Sequence, residues 1–258
     1  MAKRADLPDL HGVKFVPASI EEALRKVIDY IPKKNGDYFC FSNIHLVMEC
    51  YKNEELKKIV NNSTANFPDG MGTAGALKML GNTFKERVRG TDLMLELCSY
   101  AAEHNLKIFL YGNTVNTLIT LEEKLKGLFP EIDIAGTLSP PFRTLTEEED
   151  ERIVNTINQA SPDILFVSLG APKQERWMAE HIGRIQAVQL GVGAAFDFIT
   201  RKMKQAPLWM QKAYLEWLYR LPQQPKKTIS RMALVPEFLL LLSKQYIRNK
   251  ILGFKEKY

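Results

Sequence analysis

The chain has 258 residues, of which 45% are hydrophobic and 25% charged, and its net charge is +5. This length and composition are ordinary for a globular protein with one large α/β domain or two small ones. The three cysteines, Cys40, Cys50 and Cys98, show no Cys-x-x-Cys or Cys/His spacing, which argues against a disulfide framework and predicts buried free thiols. Residues 1–12 lack the apolar segment of a secretory signal, so we expect a cytoplasmic protein.

Short apolar runs alternate with helical patterns along the first 200 residues. Continuous apolar strands that are each followed by a helix are typical of a parallel sheet. The sequence therefore predicts an α/β fold, Rossmann-like, with a mostly parallel sheet and helices on both faces. The predicted strands are 13–16, 37–42, 65–67, 107–112, 132–136, 163–170 and 186–193. The predicted helices are 19–31, 45–51, 54–61, 71–80, 92–104, 115–128, 147–159 and 172–181.

The pattern changes near residue 200. Strand-like runs stop, and helical patterns at 207–221 and 234–248 flank the proline-rich segment RLPQQPKK (220–227). We therefore predict two parts: an α/β body, residues 1–200, and a basic helical appendage, residues 201–258.

The charge also divides between body and appendage. The appendage has 13 Lys and Arg against 3 Asp and Glu, a net +10, which leaves 22 basic and 27 acidic residues, a net −5, in the body. Such a basic block binds an anionic partner. Its interleaved aromatic and aliphatic residues favour a membrane surface over nucleic acid, as an interfacial segment, because the apolar stretch 232–242 is too short to span a bilayer. Packing on the body, or a contact between two copies of the chain, is the alternative.

One glycine pattern has two interpretations. Gly70-x-Gly72-x-x-Gly75 has the spacing of a dinucleotide-binding fingerprint, and Asp92 follows about 20 residues later, where such a fold holds an acid for a ribose. Alternatively, the glycines let the chain turn after the strand and leave Asp69 facing a cleft. A carboxylate in that position either bonds its own turn or acts as a general base.

Four turns after predicted strands combine Gly or Asn with small polar residues: 41–45, 67–72, 111–114 and 168–175. Ligands of an open parallel sheet bind beyond the carboxyl ends of its strands, and helix N-termini with glycine turns favour phosphate. Asn43, Gly70 and Gly112 are therefore candidate substrate-binding residues. Lys173 and Gln174 are further candidates, because they lie at the predicted start of a helix and offer a cation and an amide.

The sequence predicts neither a cofactor nor a metal site. It has no Asp-x-Asp after a strand, no HExxH motif, and four scattered histidines. If a diphosphate leaves in the reaction, cationic side chains and helix ends must meet its charge. The candidates are Lys173, Arg220, Lys226, Lys227 and Arg231.

Five segments in consistent order resemble the WecG/TagA/CpsF family of bacterial glycosyltransferases over about residues 13–231. They are NFPDGMG (66–72), ERVRGTDLM (86–94), ILFVSLGAPKQERWM (164–178), GVGAAFDF (191–198) and APLWMQKAYLEWLYRLPQQPKK (206–227). The resemblance implies an inverting, metal-independent transfer of a sugar from a UDP donor to a polyprenyl-diphosphate-linked acceptor. It also implies that the appendage contributes to the site and docks on the inner face of the cell membrane.

The resemblance assigns roles by position in these motifs. Asp69 matches the family's catalytic base, and Gln174 and Arg220 match residues that handle the donor and its diphosphate. Lys227 and Arg231 fall where the appendage supplies further basic residues.

One turn departs from the family pattern. Teichoic acid members have Thr-x-Asn after the second strand, where this chain has Phe41-Ser42-Asn43, which leaves the donor open between UDP-N-acetylmannosamine and another UDP-hexose. The predicted function is hexosyl transfer in cell-surface polysaccharide or teichoic acid synthesis. An NAD(P)-dependent oxidoreductase and a non-catalytic, membrane-associated nucleotide-binding module are the alternatives.

Overall fold

The computed structural model describes residues 7–82, 87–207, 209–210, 213 and 215–255. Its strands are β1 (Asp9–Leu10), β2 (Val13–Lys14), β3 (Tyr38–Ser42), β4 (Ala65–Pro68), β5 (Lys107–Gly112), β6 (Asp133–Leu138), β7 (Ile164–Ser168) and β8 (Val188–Gly191). Strands β3 to β8 form a six-stranded sheet in the order β4-β3-β8-β7-β5-β6, and each pairing in it is parallel. The predicted α/β fold is confirmed.

Helices follow the strands of this sheet. They are α1 (Ile20–Ile28), α2 (Ile44–Lys52), α3 (Glu54–Asn62), α4 (Met71–Met79), α5 (Gly90–Glu103), α6 (Val115–Leu128), α7 (Glu147–Gln159), α8 (Lys173–Glu180), α9 (Ala195–Ile199), α10 (Glu216–Arg220), α11 (Pro225–Met232) and α12 (Val235–Lys255). Asn43, Asn53 and Thr114 each cap a helix by accepting a hydrogen bond from the backbone N–H three residues on. These caps satisfy donors that the first helical turn leaves unpaired.

The sheet is buried on both faces, because successive side chains of a strand point to opposite sides. On β3, Phe39 and Phe41 belong to the core that includes α1, α5 and α6, whereas Tyr38 and Cys40 belong to the core that includes α2, α3 and α8. Burial on both faces explains why the central strands read as continuous apolar runs. The three cysteines are buried free thiols, as predicted.

The structure corrects one predicted element and adds another. Residues 13–16 are not a strand of the main sheet, since β2 pairs antiparallel with β1 in a separate two-stranded hairpin. Helix α11 was not predicted; it begins inside the proline-rich segment 220–227 with Pro225 in its first turn, where the missing N–H is not needed. The predicted helix 207–221 falls partly on residues 208, 211, 212 and 214, which lie outside the described residues; within it, α10 is helical.

The parallel strands all end at one edge of the sheet. Strands β5 and β7 are neighbours whose onward connections run in opposite directions, to β6 and to β8, which makes a topological switch point. Phe238 and Leu242 of α12 are buried in the same core as α2, so this part of α12 packs against the body. Throughout the described ranges, every helix is too short or too polar to cross a membrane.

Candidate active site

A cavity of about 550 Å³ lies beyond the ends of β3 and β4. It is lined by the turns after these two strands, by α4, and by the three helices α10, α11 and α12. Six of the predicted site residues line it: Asn43, Asp69, Gly70, Arg220, Lys227 and Arg231. Residues of the body and of the appendage therefore meet at one place.

Asp69 follows the last residue of β4. Its backbone N–H donates to the carbonyl oxygen of Ser42 at 3.0 Å, which continues the pairing of β4 with β3. Gly70 then has a φ of +101°, a backbone conformation that residues with a side chain rarely adopt. Helix α4 begins at the next residue. The glycine ends the strand abruptly and leaves the Asp69 side chain in the cavity.

The Asp69 carboxylate has surroundings that suit a proton acceptor. Burial raises the pKa of Asp69 to about 6, although the guanidinium groups of Arg220 and Arg89 act in the opposite direction. A carboxylate with this pKa is mostly ionised at neutral pH and is a stronger base than an ordinary aspartate. Asp69 can therefore take a proton from a hydroxyl group that enters the cavity.

Arg220 reaches the cavity from the end of α10. Its guanidinium carbon lies 5.1 Å from the centre of the Phe198 ring, in a cation–π contact. Its Nη2 lies 3.8 Å from Oε2 of Glu216, and the other oxygen of that carboxylate accepts a hydrogen bond from Nη1 of Arg87 at 2.9 Å. Glu216 thus connects an arginine of the body to Arg220 of the appendage.

Lys227 and Arg231 are one helical turn apart on α11 and add two cations to the cavity. Burial lowers the pKa of both side chains. The nearby Arg231 lowers the pKa of Lys227 further, and the nearby Arg220 lowers the pKa of Arg231 further. Like charges held together repel one another. An anion bound among them would relieve this repulsion, and a diphosphate would accept charge-assisted hydrogen bonds from all three side chains.

Much of the remaining cavity wall is apolar. It consists of aliphatic, aromatic and thioether side chains from α4 and the appendage: Met71, Ala76, Met79, Trp217, Met232, Val235, Phe238, Leu239 and Leu242. Met79, Trp217 and Leu239 are 55%, 38% and 55% exposed, so this wall continues to the protein surface. The cavity therefore joins a carboxylate and three cations to an open apolar groove.

His45 lines the same cavity and was not singled out by the sequence patterns. Its Nδ1 is buried without a hydrogen-bond partner among the described residues, and its Nε2 lies 3.7 Å from a carboxylate oxygen of Glu49. Burial and the nearby Arg231 lower its pKa, so the ring is neutral at pH 7. The only signal in the sequence is its place in the turn FSNIH, directly after a predicted strand.

Gly112 lies in a second group of turns, at the switch point. Its φ is +112°, and a Cβ there would lie 2.5 Å from the carbonyl oxygen of Ser168, so glycine is required for the ends of β5 and β7 to approach. The Ser168 hydroxyl donates to the carbonyl of Gly193 at 2.6 Å. The Asn113 amide donates to Asp197 at 3.1 Å, which links this group to α9.

The two groups of residues adjoin at α9. Phe198 of this helix contacts Arg220, and its neighbour Asp197 is close enough to oppose in part the lowering of the Lys227 pKa by burial and Arg231. The turns at the ends of β5, β7 and β8 therefore lie next to the cationic side of the cavity.

Lys173 and Gln174 do not line the cavity with the other predicted residues. Lys173 is exposed at the start of α8. Gln174 is 3% exposed, and its side chain is hydrogen-bonded within the protein.

Comparison with known proteins agrees with the resemblance seen in the sequence. A family model described as the glycosyl transferase WecG/TagA/CpsF family matches residues 8–251. The N-acetylglucosaminyldiphosphoundecaprenol N-acetyl-beta-D-mannosaminyltransferase of Bacillus subtilis (strain 168) is 28% identical over 247 residues, which are 93% of each chain. Proteins of the same name from Bacillus spizizenii and Staphylococcus aureus (strain MW2) are 27% and 26% identical, over 83% and 92% of this chain and 82% and 92% of theirs.

Proposed function

The chain belongs to the WecG/TagA/CpsF family of glycosyl transferases, and on that premise we propose that it moves a hexose or N-acetylhexosamine from a UDP-sugar to a polyprenyl-diphosphate-linked acceptor. The transfer inverts the anomeric carbon, needs no metal ion, and serves cell-surface polysaccharide or teichoic acid synthesis. The observation that carries the proposal is a single cavity in which the Asp69 carboxylate, three cations and an open apolar wall meet.

Asp69 is the general base of the proposed reaction. It takes the proton of an acceptor sugar hydroxyl, whose oxygen forms a bond to the anomeric carbon as the bond from that carbon to UDP breaks. Attack from the face opposite UDP inverts the configuration. Arg220, with its basic neighbours, stabilises the charge on the departing UDP.

The donor nucleotide is proposed to bind along the turns at the carboxyl ends of the strands. Support comes from the switch point between β5 and β7, from Gly112 in the turn after β5, and from the N-termini of the helices that follow. Lys173, exposed at the start of α8, is proposed to meet a phosphate there.

The acceptor is proposed to lie on the other side of Asp69. Its prenyl chain would contact the apolar wall, with Asn43 and Gly70 at the reacting sugar. The curated relatives are named for a diphosphoundecaprenol-linked acceptor and for N-acetylmannosaminyl transfer, which supports a lipid-linked acceptor here and makes UDP-N-acetylmannosamine the first donor to test.

The body, 1–200, and the appendage, 201–258, are proposed to supply different parts of the active site and of the membrane contact. The body supplies Asp69, and the appendage supplies the three cations and rests on the membrane. Leu240, Ile247 and Ile251 support the second role, because they share one face of α12 and are 57%, 55% and 55% exposed. An exposed apolar stripe on a basic helix is typical of an interfacial membrane segment.

Replacing both Leu240 and Ile247 with glutamate is expected to lower partition onto phosphatidylglycerol vesicles at least about tenfold, because each side chain would lose a favourable apolar transfer into the interface. Vesicle sedimentation measures the change. Leu128→Glu is the matched control, since it places a charge on an apolar side chain of the body that is 59% exposed. If partition is unchanged, and analytical ultracentrifugation shows a dimer of the unsubstituted chain that is absent in the double variant, the stripe is a contact between two copies of the chain and not a membrane contact.

The proposed function is tested by UDP release from a panel of UDP-hexoses and UDP-N-acetylhexosamines. The acceptor is a short polyprenyl-diphosphate-linked N-acetylglucosamine, and EDTA is present throughout. Release with one sugar, and a product of inverted configuration by NMR, is the expected result. Binding of NAD⁺ but not UDP in calorimetry would favour the oxidoreductase, and binding of UDP without transfer would favour the non-catalytic module.

A further inference from the structure

The buried Gln174 side chain joins the turn after β7 to the end of β8. Its Nε2 donates to the carbonyl oxygen of Gly191 at 2.7 Å and to Oε1 of Glu175 at 2.9 Å. Its Oε1 accepts a hydrogen bond from the backbone N–H of Gly170 at 3.2 Å. Both amide hydrogens are thus used within the protein, and none remains to donate to a substrate.

The backbone around this side chain is closely fitted to it. A Cβ at Gly191 would lie 2.9 Å from Nε2 of Gln174 and 2.7 Å from Cε of Met178, so the glycine allows Gln174 to reach the end of β8. Two residues later, Gly193 accepts a hydrogen bond from the Ser168 hydroxyl at the end of β7. The two strand ends are therefore connected once through Gln174 and once through Ser168.

Glu175 orients the Gln174 amide. It is fully buried, and its Oε2 has no hydrogen-bond partner among the described residues. A charge is costly in such a place, and burial raises the pKa of Glu175 to about 7. What Glu175 provides is an acceptor at Oε1: if the Gln174 amide were flipped, its oxygen would face the oxygens of both Glu175 and Gly191.

We propose that Gln174, oriented by Glu175, is a positioning residue of the donor site. It holds the turns after β7 and β8 at the separation that the donor diphosphate requires, without contacting the donor. This inference rests on the proposed function, because it takes these turns as the place where the UDP-sugar binds. It differs from the family resemblance in making the effect of Gln174 on the donor indirect, through backbone groups.

Gln174→Leu tests the proposal, because leucine nearly preserves the volume and removes all three hydrogen bonds. Misplaced binding groups weaken productive binding steeply, so we expect the Kd for UDP and the donor KM to rise about tenfold or more. The acceptor KM should stay within about twofold, since Gln174 does not line the acceptor side of the cavity. In the ligand-free chain, amide hydrogen exchange of 168–172 and 190–194 should become faster.

Glu175 offers a conservative and a disruptive variant. Glu175→Gln keeps an acceptor oxygen for Gln174, so UDP affinity should stay within about threefold of the unsubstituted chain. Glu175→Leu removes the acceptor, so it should weaken UDP binding and speed hydrogen exchange in the two turns as Gln174→Leu does. Glu180→Gln is the matched control, because Glu180 is exposed on the same helix.

The outcomes separate this inference from the proposed function. Wild-type affinity for UDP in Gln174→Leu, or unchanged exchange in both turns, would overturn the positioning role even if the melting temperature falls. If Gln174→Leu does not fold, the two Glu175 variants make the same comparison. If the unsubstituted chain does not bind UDP, the proposed donor is wrong, and the hydrogen-exchange rates alone decide whether Gln174 holds the two turns.

Discussion

Replacing Asp69 with asparagine is expected to lower kcat by about 10²–10⁴-fold, the range that general-base assistance contributes. Asparagine has nearly the same shape but cannot take a proton from the acceptor hydroxyl. Because the proposed donor contacts lie elsewhere, UDP should bind Asp69→Asn with the affinity of the unsubstituted chain. Steady-state kinetics and calorimetry measure the two quantities on the same preparation.

The pH dependence gives a second test of Asp69. Since the pKa of Asp69 is raised to about 6, kcat/KM of the unsubstituted chain should fall as the pH falls through 6, where the base becomes protonated. A raised carboxyl pKa also means that the folded state holds this proton more tightly than the unfolded state, so stability falls as the pH rises from the usual carboxyl pKa of 3.8 to about 6, and the loss is complete above 6. Asp69→Asn should therefore not melt below the unsubstituted chain at pH 8.

Asp133→Asn is the control for this substitution. Asp133 is exposed at the first residue of β6, at the edge of the sheet opposite the cavity, and its replacement should leave turnover unchanged. Turnover by Asp69→Asn within about twofold of the unsubstituted chain would remove Asp69 from the role of base, whatever the pH profile.

Arg220→Ala is expected to lower kcat by about 10²–10³-fold, as removal of one charge-stabilising donor from a transition state does in other enzymes. The guanidinium is held near Glu216 and the Phe198 ring, so it is already in place when negative charge develops on UDP. The loss should appear mainly in kcat, because the interaction strengthens as the bond to UDP breaks. Single-turnover kinetics with saturating donor measure it.

Two further variants define the role of Arg220. Arg220→Lys keeps the charge but not the planar pair of donors, so its kcat should lie between that of the unsubstituted chain and that of Arg220→Ala. Arg152→Ala is the control, because Arg152 is exposed on α7 in an ion pair with Glu148 and does not line the cavity. A rise in the acceptor KM alone, with kcat unchanged, would move Arg220 from the departing UDP to the acceptor diphosphate.

The sequence was most informative about the body. The runs 107–112, 115–128 and 147–159 were predicted with the bounds that β5, α6 and α7 have in the structure. These elements have strong local signals: continuous apolar residues for a strand buried on both faces, and polar caps with regular apolar spacing for the helices. The prediction that 13–16 is a strand of the main sheet is wrong, because a short apolar run fits a strand of a two-stranded hairpin as well as a strand of a larger sheet.

Candidate site residues could be found where function needs an unusual local pattern. Gly70 and Gly112 have positive φ, and the glycine-containing turns in which they lie are recognisable in the sequence. Asp69 precedes Gly70 directly, and Asn43 lies in another turn after a predicted strand. His45, Arg87 and Glu216 lie in a highlighted turn or in motifs of the resemblance, but the local sequence assigns none of them a role. Their importance comes from neighbours that are distant in the chain.

The sequence alone determined the fold class, the basic character of residues 201–258 and the glycine turn that presents Asp69, because strand periodicity, charge and backbone freedom are properties of short segments. Only the tertiary structure decided which of these segments meet. It placed Arg220, Lys227 and Arg231 in the cavity with Asp69, and it buried Gln174 in hydrogen bonds to Gly170 after β7 and to Gly191 at the end of β8. The physical reason is that burial and electrostatic interaction depend on distances between elements, which the folding of the whole chain sets.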